Sequence, residues 1–77
     1  MNKARRKKLE EIVNALDAQK SAIESVCEEE QEAFDNLPES IQYSERGETM
    51  ESDISDMVDA VSDLENVISS LQKIFDA

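Results

Sequence analysis

The sequence has no histidine and no tryptophan, and only one cysteine (Cys27), one proline (Pro38), one glycine (Gly47) and one tyrosine (Tyr43). Each scarcity closes a route. A single thiol excludes a disulfide within the chain. One thiol and no histidine leave a structural zinc site without ligands. A carboxylate di-iron centre in a helical bundle draws on Glu-x-x-His motifs, and the histidines are missing. Cys27 has no histidine partner to activate it as a nucleophile, so its place beside an apolar stripe makes it a small core residue. A lone glycine cannot build a phosphate-cradling loop, and no Asp-x-Asp-x-Asp-Gly calcium loop occurs. No cofactor or metal is expected, and no enzyme.

Long apolar runs are also missing. None approaches the ~20 residues a membrane span requires. The basic start "NKARRKK" leads straight into "LEEIVNALD", without the unbroken apolar core of a signal peptide. One free cysteine suits a reducing compartment. These features together predict a cytoplasmic protein that does not enter a membrane.

Positive charge is scarce beyond the first residues. The formal net charge is −11. Five of the eight basic residues are Lys3, Arg5, Arg6, Lys7 and Lys8, a basic tip at residues 1–8 read as a solvated, frayed terminus. From Leu9 onward 19 acids face only Lys20, Arg46 and Lys73. Such a surface repels nucleic acid and anionic membrane over most of its area, so no direct nucleic-acid binding is expected.

What the sequence does have is helical periodicity. Leu9, Ile12, Leu16, Ile23, Val26, Ala33 and Leu37 follow a three-four spacing, with Gln19 and Glu30 as polar slots and Val13, Cys27 and Phe34 widening the stripe. This predicts a first helix over about 4–35. Met50, Ile54, Met57, Val61, Leu64, Ile68, Leu71 and Phe75 step four and three without a gap. They form a heptad seam, with Ile54, Val61, Ile68 and Phe75 at a and the others at d, and predict a second helix over about 49–76. Val58, Ala60, Val67 and Ile74 flank that seam where a two-stranded coil would carry charges, so the stripe is wider than one neighbour needs.

Between the helices lies "DNLPESIQYSERGE", which holds Pro38, Tyr43 and Gly47. Asn36 followed by Glu39 reads as a helix start, so "LPESIQ" is expected as a short helical turn. Ser44 is a second N-cap candidate, placing the second helix start between Ser44 and Thr49. Gly47 either precedes that helix or permits close backbone packing. The corner therefore spans 36–48 and the hairpin residues 9–77.

The expected fold is all-α: a two-helix antiparallel hairpin dimerising into a four-helix bundle. A chain this short buries too little surface alone to be comfortably stable. The residues expected to form the core and dimer contact are Leu9, Ile12, Leu16, Ile23, Val26, Phe34, Ile54, Met57, Val61, Leu64, Ile68, Leu71 and Phe75. Two partner sites stand out. One is the acidic outer face, with Asp53, Asp56, Asp59 and Asp63 interleaved with serines, and Glu24, Glu28, Glu29 and Glu32 on the first helix. Carboxylates in rows can occupy phosphate-like positions against a basic, nucleic-acid-binding protein, although acidic helix faces mostly serve solubility. The other is the corner, where Tyr43 and Arg46 are residue types favoured at binding hot spots. Their structural alternative is that Tyr43 caps the core end while Arg46 neutralises Glu39 or Glu48.

"DNLPES" followed by "SERGE" between two acidic amphipathic helices resembles a family of small acidic helical proteins of bacteria and of phages or prophages. The matching positions are Asp35 to Ser40 and Ser44 to Glu48. That family has no established activity, so the resemblance implies a context rather than a mechanism: an accessory protein acting by contact with another protein, including interference with host machinery. The alternative is a structural or adaptor module that uses its corner.

Overall fold

A computed structural model describes residues 1–76; the expected hairpin, 9–77, thus ends on a residue outside the described ones. Three helices follow in order: α1 Lys3–Asp35, α2 Glu39–Gln42 and α3 Glu45–Phe75. No strand occurs among the described residues. The hairpin α1–α3 is a rod of 58 × 15 × 12 Å, and no helix in it is long and apolar enough to cross a membrane.

The basic tip is not frayed. It forms the first two turns of α1, and Asn2 caps them by accepting a hydrogen bond from the Arg5 N–H at 2.9 Å. The cap satisfies one of the unpartnered N–H groups of a helix start. Charges along α1 nevertheless oppose its dipole. Its first turn holds no acid and its last turn no base, whereas the dipole favours the reverse by ~0.3–1 kcal/mol per charge. In α3 the charges agree with the dipole, with Glu45 and Glu48 in the first turn and Lys73 in the last.

The seam of α3 falls where the spacing places it. Met50, Ile54, Met57, Val61, Leu64, Ile68, Leu71 and Phe75 are all half-buried or buried. The seam of α1 lies one residue further round than expected. Leu9, Val13, Leu16, Ile23, Cys27, Phe34 and Leu37 face α3, joined by Arg6, Lys20 and Glu30. Val13, Cys27 and Phe34 thus hold seam positions, while Ile12 (48 % exposed), Val26 (52 %) and Ala33 lie outside the contact between α1 and α3. Apolar residues at both Ile12 and Val13, and at both Val26 and Cys27, make two registers equally readable. The ladder through Val13 keeps an unbroken three-four step from Arg6 to Leu37. Of the two expected polar slots, Glu30 lies in the seam, whereas Gln19 is exposed and its place is taken by Lys20. Lys20 Nζ reaches Glu65 across the hairpin at 3.6 Å and Asp17 on its own helix at 3.7 Å.

Only Val13 and Ile68 are buried apolar residues among those described, and neither is completely covered. Two helices side by side bury one stripe each and nothing deeper. The accessible surface is 5682 Å², against about 4,700 Å² for a compact monomer of this size.

Candidate functional site

At the corner, α1 ends at Asn36, whose N–H donates to the Glu32 carbonyl at 3.1 Å, while the Leu37 N–H donates to the Phe34 carbonyl at 3.0 Å. Asn36 is thus the end of α1 and not, as its spacing to Glu39 suggests, the start of α2. The residue that opens α2 is Pro38, with no side-chain cap. The short helix "ESIQ" itself lies where the local chemistry predicts it. Its Gln42 side chain donates to the Phe34 carbonyl at 3.1 Å, as a second donor beside the Leu37 N–H.

Ser44 caps α3. Its hydroxyl donates to the Ile41 carbonyl and accepts from the Gly47 N–H at 3.4 Å. Gly47 is buried inside the first turn of α3. A Cβ there would overlap the Gln42 carbonyl and come within 2.6 Å of the Ile41 carbonyl oxygen. Of the two readings of this glycine, close backbone packing is the one realised. It sets α2 directly against the start of α3.

Tyr43 does not cap the core. It is 77 % exposed, and Leu37 and Ile41 are the half-buried apolar side chains of the corner instead. Arg46 is exposed, and among the described residues no carboxylate pairs with it. Both side chains stand free at one end of the rod, about a helical turn apart in sequence.

Asp53, Asp56, Asp59 and Asp63 are all exposed on α3. They share the outer side of that helix and one flank of its seam. The carboxylates of α1 divide: Glu24 and Glu28 fall on the opposite flank, while Glu29 and Glu32 face outward. The acids therefore surround the corner half of the rod and do not merge into one plane. Among the described residues, no group of carboxylates and thiol is close enough to hold a metal ion.

Mid-rod, the opposite flank has an open cleft of about 370 Å³ that the spacing does not reveal. Ile54, Val58 and Val61 form its apolar side, Glu24, Glu28 and Gln31 its rim, and Cys27 its floor. The Cys27 thiol donates to the Ile54 carbonyl at 4.0 Å, and the ionisable groups beside it in the cleft are the carboxylates of Glu24 and Glu28. The signal for it is Val58, apolar at a flank position and 54 % exposed.

No protein-family model matches the chain, and no curated protein and no solved structure is significantly similar to it.

Proposed function

We propose that the protein is a non-catalytic accessory protein that acts by protein–protein contact, as a self-associated helical hairpin whose acidic surface engages a basic, nucleic-acid-handling partner. The observation that carries the contact reading is the excess of surface. The chain leaves about 1,000 Å² more accessible area than a compact monomer would, and a standard interface covers about 800 Å² on each side. Apolar side chains contribute to that excess, with Ile12, Val26, Val67 and Ile74 each more than 40 % exposed. The acidic reading is supported by the ten carboxylates between Glu28 and Asp53, which face a single arginine, Arg46. A negative surface of this density attracts a basic groove and repels nucleic acid. The resemblance to small phage and prophage proteins adds interference with host machinery as the setting, in the cytoplasm.

A second reading is favoured by Tyr43. An aromatic ring 77 % exposed, close to an arginine that no described carboxylate pairs with, is poor use of a corner unless something covers it. The module would then be an adaptor that binds through its tip. Capture of partners from bacterial lysate at low and high salt separates the two. A basic partner released at high salt supports the acidic surface. A partner retained at high salt and lost with Tyr43→Ala supports the corner.

A further inference from the structure

We infer that the hairpin pairs with a second copy of itself antiparallel, corner to open end, through the flank that carries Ile12, Val26 and Val67. The inference rests on the self-association proposed above and specifies its geometry. Lys20 bridges to Asp17 and Glu65 on one flank of the seam, and Glu24, Gln31 and Val58 line the cleft on that same flank. The opposite flank then holds Ile12, Gln19, Val26 and Ala33 from α1 and Ala60, Val67 and Ile74 from α3, all exposed. Ala15 and Ala22 lie beside them on α1 and are exposed too. Together these make a second three-four ladder on α1, apolar except at Gln19, with Arg5 and Lys8 at one end and Glu29 at the other.

Two hairpins stacked face to face on this flank have two symmetric arrangements. With corners together, α1 lies on the second copy's α3. Glu29 then meets Asp53, Ala33 meets Glu48, and the acid-rich corners coincide. With corners apart, α1 lies antiparallel on the second copy's α1. Ile12 then meets Val26, Ala15 meets Ala22, Gln19 meets Gln19, and Lys8 meets Glu29. On the other helix, in the register set by Cys27 against Ile54 and Val13 beside Ile68, Ala60 meets Val67 and Asp63 lies near its own copy, one like-charge contact against two Lys8–Glu29 pairs. Charge complementarity selects the second arrangement. It also accounts for the charges of α1, which oppose the dipole of their own helix. In the antiparallel pair the basic start of each α1 sits beside the acidic end of the other, where both the side chains and the helix dipoles attract.

The test is disulfide cross-linking of the full chain with Cys27→Ser as background, alongside light scattering to measure mass. Gln19→Cys is expected to give a covalent dimer on mild oxidation, since the two copies of residue 19 meet at the symmetry axis. Chains carrying Ala15→Cys, mixed with chains carrying Ala22→Cys, are expected to give the mixed dimer, and neither alone. Both positions are exposed, so folding is retained, and circular dichroism verifies it. A dimeric mass without the cross-link in the Gln19→Cys variant overturns the antiparallel pairing and leaves self-association standing. A monomeric mass at all concentrations overturns both.

Discussion

Gly47 lies against the carbonyl of Gln42, so closely that no side chain fits between the start of α3 and the end of α2. In an exposed helix interior, replacing glycine by alanine gains ~1 kcal/mol. Here the sign reverses, because the obstructing atoms are backbone and α2 must move for a methyl group to enter. Overpacking of this kind costs ~1–3 kcal/mol, and a domain of this size loses roughly 4–8 °C per kcal/mol. Gly47→Ala should therefore lower the melting temperature by several degrees in thermal circular dichroism. A raised melting temperature would show that α2 is loosely held, and with it the whole account of the corner would fall.

Lys20 occupies a seam position, and its ammonium emerges to meet a glutamate that is itself 56 % exposed. Exposed ion pairs contribute little, ~0–1 kcal/mol. A charged residue in a seam more often sets register than adds stability. Lys20→Met should raise the melting temperature, because an apolar chain of similar length replaces the stem without needing to reach water. Equilibrium denaturation with and without added salt checks this. A loss of stability would mean that the bridge to Glu65 contributes more than its exposure allows.

The seam of the second helix is legible in the sequence to the residue, although that helix starts at Glu45, inside the expected corner 36–48, and not at about 49; the seam of the first is not. From Met50 to Phe75 every seam position is apolar and the ladder has one solution. In α1 the seam passes through Arg6, Lys20 and Glu30, three polar residues, while Ile12 and Val26 beside it are apolar. A periodicity reading follows hydrophobicity, so it threads Ile12 and Val26. The true register is fixed by α3, which the first helix must meet along its whole length. The corner is legible in its parts, since Ser44 as cap and the short helix "ESIQ" follow from local chemistry. Asn36 is misread as a start because an asparagine serves a helix end as readily. Neither the exposure of Tyr43 nor the depth of the cleft beside Cys27 follows from local sequence. Both depend on how far a neighbouring helix reaches.

Val26 and Val67 sit on the flank assigned to the second copy, and Val58 sits on the other flank at matching exposure, 54 % against 52 % and 47 %. In an isolated hairpin the three are equivalent surface positions, and a glutamate at any of them should change stability by only about 0.5 kcal/mol. In the dimer they differ. Val26→Glu and Val67→Glu each place two new charges near the symmetry-related contact and should shift the chain to monomer in sedimentation or light scattering. Val58→Glu should leave the mass unchanged. Equal effects at all three positions would remove the distinction between the flanks.

Asp56, Asp59 and Asp63 and the corner residue Tyr43 offer a clean separation of the two contact readings, because none of them supports the fold. All four side chains are exposed, and none of the ion pairs or side-chain hydrogen bonds among the described residues involves them. Converting the three aspartates to asparagine preserves shape and removes three charges, and should leave the hairpin's melting curve nearly unaltered. If the acidic surface recruits a basic partner, the triple variant should weaken capture most at low salt, with the difference closing as the Debye length falls from ~10 Å at 0.1 M to ~3 Å at 1 M. Tyr43→Ala should be silent in that experiment. The converse, capture abolished by Tyr43→Ala at every salt concentration and unmoved by the aspartate changes, would transfer the binding function to the corner. Retained capture in both variants would exclude both surfaces and direct the next substitutions to the cleft rimmed by Glu24 and Glu28, where a partner can seat an apolar side chain.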